Sequence, residues 1–465
     1  MPSALVNDVQ SRLNATRVAE VRTPTSLDDL QAALRDARNQ NRPLCIAGGR
    51  HAMGTQQFAT DAILLDTTKF NRVLKFDRVQ GHITLEAGIE WPDLFRYLHE
   101  QQGESLKAWA VREKQTGVDK VSIAGSLSSN VHGRSLKTKP MVSDIESFTL
   151  LLADGTLRTC SRAENQELFS LAIGGYGLFG IVVEVTLRLV ERTKVERVVE
   201  VISVRDLLSM VQKRLDEGFV YGDCQYSTDL ASEAAQHPGV FSCYRPVAPT
   251  TPMPKEQKHL DEAGWMELYR LARTDKKKAF ETYSTYYLST NGQIYWSDLH
   301  QLAGSLDSYR KLIDEKSGTP LITEIYVGAD EFLPFMATVR QDYIDHKVDM
   351  TYGTIRFIEQ DTETFLAWAK KPSVCIVCNL NVMHTEAGKE KAAAEFRKII
   401  DRAIEFGGSF YLTYHRFATR KQLETCYPQF VDFLRLKKKY DPQERFQSDW
   451  YRHYKQMFAD QLGGT

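Results

Sequence analysis

The sequence lacks an excess of charge of either sign. Its 465 residues include 59 Lys and Arg against 60 Asp and Glu, a formal net charge of −1. A protein that holds a nucleic-acid backbone needs a surplus of basic side chains, and the sequence contains no nucleic-acid-binding motif. We therefore expect no nucleic-acid partner.

Long hydrophobic runs are also missing. No apolar stretch approaches the roughly 18 residues that a membrane-spanning helix requires. The opening residues, MPSALVNDVQSRLNATR, do not form a basic-then-apolar leader. These two absences predict a cytoplasmic protein without a transmembrane segment.

Closely spaced cysteines are absent with one exception. The seven cysteines are scattered and mostly lie in apolar, strand-like contexts, as is typical of reduced core thiols. The exception is Cys375 and Cys378 in the β-rich run SVCIVCNLNV, where an offset of three sends the two side chains to opposite faces. That geometry suits neither a dithiol nor a metal site, and we expect no bound metal.

The first part of the chain contains both helix and strand signals. An amphipathic helix is predicted to begin after Ser26, a typical N-cap residue. A second helix is predicted between Pro92 and Gly103, since proline often starts and glycine often stops a helix. Asp154-Gly155 predicts a hairpin turn between two strands.

The second part, from about residue 195, alternates strand-like pieces such as LITEIYVG and MTYGTIRFI with amphipathic helices. A chain of 465 residues is too long for one ordinary core. The sequence therefore predicts an α+β protein with two domains and a cleft between them.

Three segments of small residues in the first part are candidate ligand-binding loops. They are GGRHAMG at 48–54, AGSLSS at 124–129, and residues 174–180. A diphosphate is bound by backbone N–H groups, which can approach it closely only where side chains are small. Because neither GxGxxG nor GxxxxGK[ST] is present, a Rossmann site and a P-loop are not indicated.

Three longer motifs occur in a fixed order: VSIAGSLSSNVHGRS, SDIESFTLLLADGTLRT and ENQELFSLAIGGYGLFGIVVEVTLRL. In order and spacing they resemble the FAD-linked oxidase superfamily, which includes vanillyl alcohol oxidase, alditol oxidase, sugar-lactone oxidases and decaprenylphosphoryl-ribose oxidase. The similarity extends over nearly the whole chain. It implies an α+β fold with a two-subdomain, PCMH-type FAD-binding domain at residues 1–192. It also implies an α+β substrate (cap) domain with an antiparallel sheet at 193–404 and a C-terminal segment, 405–465, that returns to the FAD-binding domain.

The resemblance further implies which residues bind FAD. Residues 47–53 would wrap the diphosphate, residues 121–133 would pass the flavin and ribityl side, and residues 181 and 182 would meet the cofactor through backbone groups. The cofactor-binding residues expected on this basis are Ala47, Gly48, Gly49, Arg50, His51, Ala52, Met53, Val121, Ser122, Gly125, Ser126, Ser128, Ser129, His132, Gly133, Ile181, Val182 and Tyr411.

His51 has two alternative roles. GGRHAMG is similar to the alditol-oxidase loop in which a histidine is covalently bonded to the flavin C8α methyl, and this predicts covalent FAD. The alternative is a histidine that only hydrogen-bonds the diphosphate, because Ala52 replaces the usual serine. His132 resembles a residue that orients the cofactor.

The candidate catalytic residues lie later in the chain. The C-terminal segment resembles the ending of decaprenylphosphoryl-ribose oxidase, in which Tyr411 matches a flavin-contacting tyrosine and Tyr414 replaces the active-site lysine. TYGTIRFI resembles the lactone-oxidase strand whose glutamate and arginine face the substrate. Arg356 keeps the arginine, and Thr354 takes the place of the glutamate. Glu324 is a candidate for holding a substrate hydroxyl or taking its proton, the alternative being an exposed strand carboxylate.

The function implied is oxidation of a CH–OH group of a polar, sugar-like alcohol or lactone by hydride transfer to flavin N5. Oxygen, a quinone or a carrier protein would then accept the electrons. Two alternatives stay open. One is a subunit of a two-component sugar epimerase system, and the other is a flavin-binding protein without independent turnover.

Overall fold

The computed structural model describes residues 3–103, 105, 107–231, 237–303 and 318–463. In chain order, the strands are Ala4–Val6 (β1), Thr16–Val18 (β2), Glu20–Arg22 (β3), Leu44–Ala47 (β4), Ile63–Asp66 (β5), Val73–Asp77 (β6), His82–Glu86 (β7), Trp109–Ala110 (β8), Ile145–Leu151 (β9), Leu157–Ser161 (β10), Ile181–Arg188 (β11), Val190–Glu191 (β12), Lys194–Ser203 (β13), Tyr221–Tyr226 (β14), Pro238–Pro246 (β15), Ile294–Trp296 (β16), Thr319–Val327 (β17), Met350–Ile358 (β18), Ser373–Val382 (β19) and Ser409–Phe410 (β20).

The α-helices in these ranges are Leu27–Asn39 (α1), Trp91–Gln102 (α2), Ile123–Ser129 (α3), Gln166–Ala172 (α4), Leu207–Asp216 (α5), Glu262–Thr274 (α6), Lys276–Ser289 (α7), Ala329–Asp345 (α8), Glu386–Glu405 (α9), Arg420–Cys426 (α10), Phe430–Tyr440 (α11), Asp449–Met457 (α12) and Ala459–Leu462 (α13). The mixture of helices and strands confirms the predicted α+β class. In the part of the chain that is described, no helix combines the length and the apolar character needed to cross a membrane.

Local sequence signals explain the first elements. Ser26 caps α1 in a capping box with Asp29, and Gly103 follows the last residue of α2 with a φ of 56°. Strands β9 and β10 pair antiparallel on either side of the Asp154-Gly155 turn. These three predictions are confirmed.

One prediction about the small-residue segments is wrong. Residues 124–129 lie in a helix, α3, rather than in a loop. The Ser122 side chain accepts a hydrogen bond from the Gly125 N–H at 3.2 Å, which caps the helix, and Asn130 ends it in the left-handed conformation. Ile123 and Leu127 are buried, so tertiary packing outweighs the low helix propensity of glycine and serine.

Two sheets of the first part contain strands that adjoin the small-residue segments. Strands β3, β5 and β4 form a parallel sheet, and β4 ends at Ala47, directly before the glycine pair. The five-stranded sheet has the order β10-β9-β11-β7-β6. Its central strand β11 begins at Ile181, directly after the third small-residue segment.

The largest sheet has eight strands in the order β16-β13-β15-β14-β18-β19-β17-β20, paired antiparallel. Its register aligns Gln225, Thr354, Val377 and Glu324 in one row across four strands. Side chains in one row, and those two residues along each strand, share a face of the sheet. Arg356 and Glu324 therefore lie on the same face.

The last part of the chain packs against the first. The Leu44 N–H donates to the Arg445 carbonyl at 2.7 Å, and the Gln447 N–H donates to the Leu44 carbonyl at 2.9 Å. The Arg445 guanidinium donates to the carbonyls of Ala37 at 3.0 Å and Arg42 at 2.6 Å. These contacts fix the α1–β4 connection, which leads into the glycine pair.

Candidate functional site

A cavity of about 810 Å³ is lined both by the small-residue segments and by one face of the eight-stranded sheet. Its size falls in the usual range for cofactor and ligand sites. The Glu324, Tyr414 and Arg356 side chains, which the sequence singled out separately, all border it.

The segment at residues 48–53 depends on its two glycines. A Cβ on Gly48 would lie 2.1 Å from Ser122 Oγ, and one on Gly49 would lie 2.1 Å from the Lys120 carbonyl oxygen. Any side chain at either position would separate the two segments. The two glycines therefore allow this loop to pack against residues 120–122, and both glycines also line the cavity, where backbone N–H groups are needed to bind a diphosphate.

Arg50 in the same loop is already paired. Its Nη2 lies 2.6 Å from Asp66 Oδ2, and its backbone adopts a φ of 59°. The loop therefore offers backbone donors, and the one Arg charge that it contains is neutralised by Asp66.

Most of the predicted cofactor-binding residues line the cavity. Those that do are Gly48, Gly49, Arg50, His51, Ala52, Met53, Val121, Ser122, Gly125, Ser128, Ser129, His132, Val182 and Tyr411. The other four are buried behind this lining. Among them, Ser126 Oγ accepts a hydrogen bond from Trp91 Nε1 at 3.0 Å, and the Gly133 N–H donates to Glu113 Oε1 at 2.8 Å.

Glu324 is the centre of a buried hydrogen-bond cluster. Its Oε2 lies 2.8 Å from His132 Nε2 and accepts a bond from the Tyr326 hydroxyl at 2.8 Å. Its Oε1 accepts a bond from the Tyr414 hydroxyl at 2.6 Å. Glu324 is 2% exposed, so its alternative interpretation as an exposed strand carboxylate is wrong.

Within this cluster, the pKa of Glu324 is lowered and the pKa of Tyr414 is raised. Burial alone would raise the Glu324 pKa, but the charge and hydrogen bond of His132, the charge of Arg356 and the Tyr414 hydrogen bond lower that pKa to about 2. Burial and the Glu324 charge raise the pKa of Tyr414 well above its ordinary value. At neutral pH an ionised carboxylate thus accepts a hydrogen bond from a neutral phenol.

Arg356 lies on β18, two residues beyond Thr354, and is 7% exposed. Within the described ranges, its Nε has no hydrogen-bond partner. The Asp223 and Glu324 charges both act on it. A buried guanidinium at a cavity wall is suited to bind an oxygen of a ligand.

Thr354 and Glu324 lie in one row of the sheet, so Glu324 can provide the carboxylate that Thr354 lacks. Thr354 is buried, and its hydroxyl donates to the Cys224 carbonyl at 3.3 Å, so it offers no carboxylate. Glu324 lies in the same row, two strands away. Strand β18, which carries Arg356, contains no acid, and β17, two strands away, provides one on the same face.

Tyr411 links the last part of the chain to this wall. Its hydroxyl donates to the Ser129 carbonyl, and its N–H donates to the Glu324 carbonyl at 3.0 Å. The centroid of its ring lies 5.1 Å from the centroid of the Trp368 ring. These contacts position Tyr414, three residues later.

Sequence reasoning missed Cys375 and Tyr326 as members of the site. Cys375 Sγ lies 3.8 Å from Glu324 Oε2 and 3.9 Å from His132 Nε2, a set of metal-ligand types. Burial and the Glu324 charge raise the pKa of the Cys375 thiol. Cys378 contacts the Tyr226 hydroxyl instead. The signal that could have found Tyr326 is its two-residue offset from Glu324 on one strand.

Comparison with known proteins identifies the first part of the chain. Residues 18–161 match the family model described as an FAD binding domain. The chain is 29% identical over 192 residues to L-gulonolactone oxidase of Bos taurus, a match that covers 41% of this chain and 42% of that protein. It is 31% identical over 167 residues to the Mus musculus L-gulonolactone oxidase, covering 36% of each chain. It is 30% identical over 190 residues to D-arabinono-1,4-lactone oxidase of Yarrowia lipolytica, covering 40% of this chain and 34% of that protein. The matches thus span less than half the length of these relatives.

Proposed function

We propose that this chain oxidises a CH–OH group of a polar, sugar-like alcohol or lactone. The premise is that the chain is a member of the FAD-linked oxidase superfamily, with an FAD-binding domain at residues 18–161. The observation that supports this proposal is that one cavity is lined by the glycine pair and also by the face of the eight-stranded sheet that carries Arg356 and Glu324. The relatives named as sugar-lactone oxidases support a sugar-like donor.

The residues present fit FAD. The loop at 48–53 would hold the diphosphate through backbone N–H groups, while His132, Val182 and Tyr411 would border the flavin. Bound FAD supplies the hydride acceptor, flavin N5, for the hydrogen that leaves the substrate carbon.

Arg356, Tyr414 and Glu324 have separate roles in this proposal. Arg356 binds the substrate oxygen and stabilises the negative charge that develops on it. Glu324 Oε1, which accepts the Tyr414 hydroxyl proton in a hydrogen bond of 2.6 Å, would orient Tyr414 so that its oxygen accepts a hydrogen bond from the substrate hydroxyl, whose proton leaves to solvent as the hydride leaves the carbon. His132 holds the other carboxylate oxygen and so fixes the orientation of Glu324.

The same proposal includes a covalent bond between His51 and FAD. His51 lines the cavity, and its Cδ2 would lie 3.0 Å from a Cβ at Gly49, so the ring sits beside the backbone proposed to hold the diphosphate. After acid precipitation we expect flavin fluorescence in the protein pellet. Flavin found only in the supernatant would assign His51 to hydrogen bonding of the diphosphate.

We propose a domain division at residues 1–192, 193–404 and 405–465, with a two-subdomain FAD-binding part and a cap. The eight-stranded sheet supports it, because seven of its strands lie between Lys194 and Val382. The bonds of Leu44 and Arg445 support return of the last segment to the first.

The test is anaerobic reduction of the purified flavoprotein by a panel of polyols, sugar lactones, sugar acids and glycosyl phosphates. We expect at least one compound to bleach the flavin absorbance. Reoxidation with oxygen, a quinone or a carrier protein then identifies the electron acceptor. A yellow protein that no compound reduces would instead support a flavin-binding protein without independent turnover.

A further inference from the structure

The charge of the cavity lining differs from that of the whole chain. Among the described residues that line it, seven are Lys or Arg and two are Asp or Glu, although the chain as a whole is close to neutral. Arg50 is paired with Asp66, and Lys276 with Asp349 at 2.8 Å. Among the other lining residues, the cations Arg134, Arg197, Lys258 and Arg356 outnumber the acids Asp223 and Glu324.

Three of these cations are arginines close to the eight-stranded sheet: Arg134, Arg197 and Arg356. Their side-chain hydrogen bonds differ. Arg197 on β13 donates to the Tyr244 hydroxyl at 2.6 Å and to Thr290 Oγ1 at 3.0 Å. Arg134 donates to the same Tyr244 hydroxyl at 3.3 Å. For both Arg134 and Arg356, Nε has no hydrogen-bond partner in the described part of the chain.

One carboxylate, Asp223, lies between Arg134 and Arg356. Its Oδ1 is 3.9 Å from Arg134 Nη1. The Asp223 charge also acts on Arg356, and Gln225, two residues later on the same strand, pairs with Thr354, two residues before Arg356. Asp223 therefore faces both Arg134 and Arg356. Glu324 acts on Arg356 as well but is bonded to His132, so Arg134 shares its counter-charge, at 3.9 Å.

We propose that the part of the cavity at Arg134 and Asp223 is a subsite for an anionic group, a carboxylate or a phosphate, at the non-reacting end of the substrate, while Arg356 binds the reacting oxygen. A buried guanidinium without a full counter-charge is costly, and a bound anion would supply both the charge and the missing acceptors. Tyr283, Tyr286 and Tyr287 from α7 also line the cavity and add aromatic and hydroxyl groups of the kind that contact sugars.

The FAD diphosphate is not the expected occupant. The glycine pair that suits a diphosphate follows β4 of the parallel sheet, whereas Asp223 lies on the eight-stranded sheet, 3.9 Å from Arg134. The subsite rests on the proposed function, since it defines the substrate of that reaction as a sugar acid or a sugar phosphate.

The test is titration of the oxidised, FAD-loaded protein with D-gluconate, glucose 6-phosphate and glucose. The dissociation constants are measured by calorimetry and by the shift in flavin absorbance. We expect at least one of the two anions to bind about tenfold or more tightly than glucose, with an affinity that falls as salt is added. The anion that binds more tightly identifies the source of the charge.

Three variants test the residues. Arg134→Met should weaken anion binding at least tenfold without changing glucose binding, and Arg134→Lys should restore part of it. Asp223→Asn removes the competing carboxylate and should tighten anion binding, a gain that misfolding cannot produce. Arg245→Met is the matched control, because Arg245 is half-exposed and pairs with Glu196.

Equal affinity for all three compounds, or an unchanged anion affinity in both Arg134→Met and Asp223→Asn, would overturn the subsite. Flavin reduction by a neutral sugar in that case would leave the proposed oxidation intact. Arg134-dependent anion binding would support the subsite even if no compound in the substrate panel reduced the flavin, an outcome that would contradict only the oxidation.

Discussion

The guanidinium of Arg356 is buried at the cavity wall, and no described group neutralises it completely. Arg356→Met keeps much of the apolar stem but removes the charge. We expect FAD content to stay at the wild-type level while the anaerobic flavin-reduction rate falls roughly a hundredfold or more, the usual loss for one preorganised donor. Stopped-flow absorbance with the best substrate of the panel measures this rate.

Arg245→Met on β15 serves as the control and should reduce at the wild-type rate. If Arg356→Met also keeps the wild-type rate, Arg356 is a structural residue. The role of binding the substrate oxygen would then pass to Glu324 and the segment at 411–415.

His415 gives the protein a defined acid sensitivity. It is 1% exposed between Phe396 and Phe417, with ring centroids 4.5 and 5.2 Å away. Burial and the charge of Arg397 lower its pKa to about 3. Since the folded-state pKa lies below the unfolded value, the neutral ring stabilises the fold fully above about pH 6.5, and that stability is lost as the pH falls toward 3.

We therefore expect His415→Phe to lose less stability than the wild type between pH 7 and pH 5. The difference should be about 2 kcal/mol in the free energy of unfolding at pH 5. Urea denaturation of both proteins at the two pH values measures it. Parallel pH dependences would show that His415 is not neutral in the fold.

At the residue scale, sequence reasoning could find single side chains but not their pairing. Glu324 and Arg356 could be singled out because the segments that contain them resemble strands of the ribose oxidase and the sugar-lactone oxidases. The bond between His132 and Glu324 joins residues 192 positions apart, and no local pattern encodes it. Cys375 could be placed on a strand, but its neighbours depend on the register of β17, β18 and β19.

Helix α3 shows where an element escapes prediction from the sequence. Its residues IAGSLSS have low intrinsic helix propensity, and Ser122 is an N-cap without an acidic residue three positions later. By contrast, α1 has a complete capping box and four buried apolar residues at helical spacing. Local signals therefore determined α1, whereas contacts distant in sequence determined α3.

The close contact of the 48–53 loop with the chain before α3 gives a prediction for this element. In Gly49→Ala, the new Cβ would lie 2.1 Å from the Lys120 carbonyl oxygen, so backbone must move. With His51→Ala as the background, so that a covalent bond does not retain the cofactor, we expect FAD affinity to fall at least tenfold while far-ultraviolet circular dichroism stays unchanged. The ratio of flavin to protein absorbance after gel filtration measures FAD retention.

Gly463→Ala is the control, because Gly463 has a φ of −85° and its Cβ would meet only the Ala459 carbonyl, at 3.3 Å. This variant should keep its FAD. Full FAD retention in Gly49→Ala would show that the glycine pair does not form the cofactor site.

For the whole molecule, the sequence predicted an α+β chain with strands in the right regions, but not the order of the eight-stranded sheet. Strand β14 pairs with β18, and β17 with β20, across long stretches of intervening chain. The register of such pairs is set by burial of one face of the assembled sheet. The wall formed by Arg356, Asp223 and Glu324 follows from that register and could not be read from any one segment.

The two ends of the chain are also coupled, and Arg445 is the residue that tests this. Arg445 is 4% exposed, and its guanidinium donates to the Ala37 and Arg42 carbonyls just before β4. Arg445→Met leaves both carbonyls without this donor, so we expect a loss of about 2 to 4 kcal/mol in the free energy of unfolding. In a His51→Ala background, which removes the proposed covalent bond, FAD should also dissociate faster, because the loop at 48–53 follows β4, although Arg445 does not line the cavity. Urea denaturation and the rate of flavin release measure the two effects.

Arg435→Met, at a half-exposed position on α11, should change neither. Destabilisation without faster FAD release would show that the last segment supports the fold but does not hold the cofactor loop.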